Sequence, residues 1–66
     1  MLKIWLVIYV LNHIANSYPP ITQTLDDCNK KSEELMVYAK ESGYSYEYFH
    51  TKCEYSQNEP KIGTPE

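Results

Sequence analysis

Arginine is absent from this chain of 66 residues, whose six basic side chains are all lysines outnumbered by nine acids, for a net charge of -3. That balance speaks against nucleic-acid binding, because phosphate neutralisation and bidentate guanine readout want clustered lysine and arginine. Cysteine is scarce: Cys28 and Cys53 are the only two, with no C-x-x-C, so neither a zinc knuckle nor a dithiol redox motif is present. Long apolar runs are missing as well. The longest, Ile4 to Leu11, falls well short of the roughly 20 residues that cross a bilayer as a helix, and Asn12, His13 and Asn16 interrupt soon after it. No internal repeat and no catalytic or cofactor motif is found. At this length the chain is one domain at most, in the range where a single core is marginal and a staple or partner helps.

What is abundant is tyrosine, with seven copies beside one tryptophan and one phenylalanine. Tyrosine offers large contact area with few rotatable bonds, which suits a recognition surface, and it is also a good strand former. The run Ile4 to Leu11 is β-branched and aromatic and reads as a buried central strand, with Asn12-His13 turning the chain. Ile14 to Gln23 returns as a second, irregular strand, which Pro19-Pro20 confines to a sheet edge. A helix is expected from Leu25 to Ser42. Thr24 is its N-cap, Asp27 completes a capping box, and Gly43 stands where a left-handed cap belongs. Leu25, Cys28, Ser32, Leu35, Met36 and Ala39 form its inward stripe, while Asp26/Lys30 and Asp27/Lys31 face solvent.

Tyr44 to Tyr55 reads as a third strand whose apolar phase changes midway. Tyr44, Tyr46 and Tyr48 share one face, whereas Phe49, Thr51, Cys53 and Tyr55 share the other, so a β-bulge near Tyr48-Phe49 is expected. Residues 56–66 are polar, carry two prolines, and read as a flexible tail. The fold class is therefore α+β: a ββαβ chain forming a three-stranded antiparallel sheet of order 2-1-3, with one helix packed on one face. The domain spans residues 1–55 and the tail 56–66.

Three readings of the N-terminal run stay open. Lys3, the apolar run and Ala15-Asn16-Ser17 together satisfy the outline of a secretory leader cut after Ser17. Such a cut leaves few large aliphatics for a core, whereas keeping the run offers burial on the order of 10 to 20 kcal/mol as an upper bound. Its β-rich composition favours the retained strand, and a membrane anchor comes last. The chain is accordingly expected intact and soluble, or periplasmic or secreted if 1–17 is a leader.

Cys28 in the first helical turn and Cys53 on the last strand are expected to form a disulfide in an oxidising compartment and to stay reduced in the cytosol. Near a helix N-terminus, Cys28 is alternatively a reactive thiol. His13, Cys28, His50 and Cys53 do not have zinc-site spacing, and neither the His50/Cys53 pair nor the adjacent acids Asp26-Asp27 and Glu33-Glu34 make a catalytic set. No metal or cofactor is expected.

The apolar strand, the Asn turn, Thr24-Leu25-Asp26-Asp27-Cys28 opening a helix, and a final strand with Lys52-Cys53-Glu54 resemble short two-cysteine proteins of bacteriophages and bacteria over residues 3–55. That resemblance implies a phage-like or bacterial accessory protein with no assigned activity. The function expected is non-enzymatic: binding of a protein partner through Tyr44, Tyr46 and Tyr48, without nucleic acid. The alternatives are an exported or envelope peptide released from a leader and a membrane-anchored small regulator.

Overall fold

A strand with apolar side chains on both faces has to be covered twice, and that requirement organises the whole molecule. The structure is a computed structural model that describes residues 2–66; Met1, with which the expected domain begins, lies outside the described residues. Four elements follow one another: β1 (Lys3–Val10), β2 (His13–Tyr18), α1 (Leu25–Glu41) and β3 (Phe49–Ser56). The sheet has the order β2-β1-β3 and both pairings are antiparallel, so the most apolar strand is central, as the sequence implies. Leu6 lies opposite Tyr18 on one side and Cys53 on the other; Tyr9 lies opposite Ile14 and His50.

Alternation along β1 sends its side chains into two clusters. Ile4 and Leu6 are buried with Cys28, and Tyr18, Leu35 and Cys53 pack against them under α1. Trp5, Val7 and Tyr9 are buried with Ile14 on the opposite face. There the last residue of β3 and the chain that follows it supply contacts that the helix does not. Trp5 Nε1–H donates to the Ser56 carbonyl (3.0 Å) and the Ser17 hydroxyl donates to the Pro60 carbonyl (3.3 Å). Of the stretch 56–66 expected as a flexible tail, Ser56 closes β3 and residues 57–66 return to the hairpin: Ile14 N–H donates to Thr64 O (2.9 Å), Gly63 N–H to Ile14 O (2.6 Å) and Glu66 N–H to Asn12 O (2.8 Å). The reason is twofold: β1 has a second apolar face to cover, and β2 is an edge strand with unpaired backbone groups.

The β1–β2 turn is Leu11-Asn12, one residue earlier than expected, with positive φ at both residues (52° and 64°). That is the two-residue hairpin turn whose twist matches the flanking strands. Within the hairpin the partner of β1 steps from Asn16 at Ile8 to Ile14 at Tyr9, which leaves Ala15 as an extra residue. The sheet's irregularity therefore lies in β2, and the bulge expected near Tyr48-Phe49 is not formed. β2 stops at Tyr18 rather than running to Gln23, because Pro19 and Pro20 have no N–H to donate.

Thr24 caps α1 from an extended conformation (φ -120°, ψ 144°), its hydroxyl accepting from Asp27 N–H at 3.4 Å. The expected capping box is only half made. The Asp27 carboxylate accepts the Thr22 hydroxyl, and this bond above all holds the Asp27 carboxyl below the usual carboxylate range. The helix ends at Glu41 with Ser42 as its C-cap. Gly43 follows at φ 90°, where Gly43 N–H donates to Lys40 O (3.1 Å) and Tyr44 N–H to Ala39 O (2.9 Å). These two bonds are the Schellman closure that a glycine at this position permits. The Cys28 and Cys53 sulfurs lie 2.12 Å apart, at disulfide distance, tying the first turn of α1 to β3.

Candidate functional site

The Schellman closure fixes where the tyrosine segment begins. It turns the chain back over the end of α1, and Tyr44 emerges against Ala39. A tight turn follows: Tyr48 N–H and Phe49 N–H both donate to Ser45 O (3.1 and 3.0 Å), and the Ser45 hydroxyl accepts from Tyr48 N–H at 3.2 Å. Residues 44–48 are therefore not the start of a strand, which corrects the expected single tyrosine face. In the turn, residues four apart come together. Tyr44 stacks on Tyr48 (centroids 5.2 Å apart, planes 10° apart) and Tyr46 stacks on His50 (4.6 Å, 14°). The phase change between Tyr48 and Phe49 is the boundary between this turn and β3.

All three tyrosines remain exposed, Tyr46 at 60%. Tyr44 and Tyr46, with Met36, Val37 and Phe49, line a largely apolar groove of about 440 Å³ beside the C-terminal half of α1. Leu11 joins the same end of the molecule, its N–H donating to Tyr48 O at 2.9 Å. This leucine is 62% exposed in a left-handed conformation that L side chains with a bulky Cβ substituent avoid at a cost of about 1–2 kcal/mol. Sequence reading passes over Leu11 because it stands at the end of the apolar run Ile4 to Leu11. The signal that finds it is the two-residue turn, in which a leucine occupies a place usually given to asparagine or glycine.

Behind the turn lies a polar cluster that the sequence does not announce. His50 is fully buried and lies between the rings of Tyr46 and Tyr9, the latter 5.0 Å away at 11°. Its Nδ1 faces the Tyr46 carbonyl at 3.0 Å and its Nε2 faces the Glu66 carboxylate at 2.9 Å. Glu66 also pairs with Lys52, whose ammonium lies 5.9 Å from the Tyr9 ring centroid. The Lys52 hydrogen bond chiefly holds the Glu66 carboxyl below its usual range, and the same bond raises Lys52. Tyr9 donates its hydroxyl to Glu54; burial first and that carboxylate second push the phenol well above its ordinary range.

Other residues singled out in the sequence fall apart in space or in role. Cys28 and Cys53 face each other, away from His50, which sits on the opposite face of β3. Asp26 and Asp27 occupy the first turn of α1, and Glu33 and Glu34 lie exposed further along it. Among the described residues no group of three or more His, Cys, Asp or Glu side chains is placed to hold a metal ion. No helix among them is long and apolar enough to cross a membrane, and Ile4 to Val10 lie in a strand. Comparison with protein-family models, with curated proteins and with solved structures finds no match.

Proposed function

We propose that this chain is a small non-enzymatic interaction protein that binds a protein partner with the end of the molecule formed by Leu11, Tyr44, Tyr46 and Tyr48. The observation that carries this reading is the pairing of exposure with constraint. Three tyrosines are held in place by stacking and a double-bonded turn, next to a leucine kept in an unfavourable backbone conformation while its side chain faces solvent. Rigid, exposed aromatics lose little entropy on binding and are typical anchors of interfaces. Local strain at an exposed position points to use rather than to folding. The resemblance to phage and bacterial two-cysteine proteins adds an accessory role to this reading.

The test is cross-linking of the full chain in its source cells, followed by affinity measurement with the purified cross-linked protein. Tyr46→Ser and Leu11→Gly should each weaken that complex about tenfold or more, the scale of an interface anchor. Leu11→Gly should at the same time stabilise the free protein by about 1 kcal/mol, since it relieves the left-handed leucine. A complex insensitive to both substitutions overturns the assigned surface; turnover that purifies with the chain overturns the non-enzymatic reading.

A second reading, an exported or envelope protein, is favoured by the cysteine pair at disulfide distance, because such bonds persist in oxidising compartments. A cut after Ser17 would remove β1 and all of β2 except Tyr18. Intact mass of the native protein decides: a species starting at Tyr18 establishes the leader, and one retaining Met1 or Leu2 establishes the retained strand.

A further inference from the structure

His50 has a donor problem that its surroundings define. A backbone carbonyl accepts and never donates, so the Tyr46 carbonyl requires a proton on Nδ1. The Glu66 carboxylate, kept ionised by Lys52, requires one on Nε2. Only the imidazolium meets both demands, and a neutral ring meets one. The ring is sealed from water, so no solvent molecule takes the vacated place. Each flanking element contributes to the balance. Glu66 from the returning chain favours the cation and Lys52 on β3 opposes it; Tyr9 from β1, its hydroxyl turned to Glu54, and Tyr46 from the turn present their ring faces to the imidazole.

We infer that His50 is a pH-operated latch on the tyrosine surface: as a cation it holds the Tyr46 turn to the sheet and to Glu66, and on losing a proton it lets the turn go. The turn is the side released because the bond to the carboxylate is charge-assisted and is the stronger of the two. A neutral ring therefore keeps its proton on Nε2 and turns a lone pair toward the Tyr46 carbonyl. The Ser45 to Phe49 turn, which carries Tyr46 and Tyr48, then loosens, and partner affinity falls with the loss of that proton. The inference rests on the reading of the tyrosine end as the partner surface for its biological consequence, but its physical core does not need a partner.

The experiment is ¹⁵N NMR of the full chain, following the His50 ring nitrogens and the amide exchange of Tyr48 and Phe49 between pH 5 and 9. Both ring nitrogens should carry protons at the acid end, and Nδ1 should lose its proton first. With the same midpoint, protection of the Tyr48 and Phe49 amides should fall about tenfold or more after correction for intrinsic exchange, the size expected when a hydrogen bond to a charged donor is lost. Glu66→Gln should flatten that step, because its carboxamide donates to a bare Nε2 and lets a neutral ring keep Nδ1–H on the Tyr46 carbonyl. A ring that stays neutral throughout, that keeps Nδ1–H when it deprotonates, or a Glu66→Gln step equal to the parent's overturns the latch. These readouts need no partner, so a latch that works beside binding unaffected by Tyr46→Ser would reject the surface and keep the switch.

Discussion

The Gln23 side chain serves Ile4 as a substitute strand. Ile4 N–H donates to Gln23 Oε1 at 2.8 Å and Gln23 Nε2–H donates back to Ile4 O at 3.2 Å, so one carboxamide reproduces both bonds of a ladder position. The substitution is needed because β2 ends before Pro19-Pro20, leaving the first turn of the central strand without a backbone partner on that side. Replacing Gln23 with Met, which has similar length and no amide, should destabilise the protein by about 1–3 kcal/mol, the cost of leaving buried peptide groups unpaired. Denaturant titration checks this, and a change within experimental error would show that water serves Ile4 equally well.

Reduction of the Cys28–Cys53 bond should cost about 3.5 kcal/mol by chain entropy for the 25-residue separation it closes. Cys28 is fully buried against Ile4 and Leu6, so Cys28→Ala with Cys53→Ala should open a cavity as well as release the loop. The double variant should therefore be less stable than the reduced parent in urea titrations with and without reductant. An oxidised and a reduced parent of equal stability would remove the staple from the account of this fold.

Truncation after Gln57 should uncover the second face of β1. Trp5 keeps its bond to the Ser56 carbonyl, but Ser17 beside it loses the Pro60 carbonyl, and Ile14 and Asn12 lose their backbone bonds to Gly63, Thr64 and Glu66. As the single tryptophan, Trp5 reports directly: its emission should shift to longer wavelength and the unfolding midpoint should fall. Unchanged emission would mean that 58–66 contributes no cover.

Stability should decline at both ends of the pH scale, for different reasons. Tyr9 has a folded-state titration raised above its ordinary value of 10.0, so its contribution is complete below pH 10 and is lost above it, where the unfolded chain ionises and the folded phenol resists. Lys52, also raised by its bond to Glu66, loses its contribution on the same alkaline limb. Asp27 and Glu66 are lowered, so their contributions are present above pH 3.8 and 4.5 respectively and disappear as pH falls through the folded values. Tyr9→Phe should flatten the alkaline limb in urea midpoints measured from pH 8 to 11; an unchanged slope would place the loss elsewhere.

Much of the candidate site was hidden for a geometric reason. Alternation is visible along Tyr44, Tyr46 and Tyr48, and it suggests a strand, but two of these residues instead stack at a spacing of four, Tyr44 on Tyr48, and Tyr46 reaches His50 at the same spacing. The bond that stops the strand from starting earlier, Phe49 N–H to Ser45 O, follows from the Schellman closure at Gly43. Gly43 itself was legible. What its turn does to the next five residues depends on the sheet position that Phe49 must reach.

From the sequence by itself follow the elements whose causes are local or periodic: the doubly apolar β1, the capped helix with its inward stripe, the glycine at its end, and the placement of the only two cysteines on elements that pack together. These determine the α+β architecture and the sheet order, because the most apolar strand has to sit between the others. Tertiary structure alone decided how the leftover demands are met. A carboxamide completes a ladder that proline interrupts, a polar C-terminal stretch returns to cover an exposed face and edge, and a histidine is sealed between two tyrosines with an acceptor at each nitrogen. Apart from the Tyr46–His50 pair, four residues apart, each of these is a contact between residues distant in the chain, selected by which buried groups were still unpaired once the strands and helix were in place.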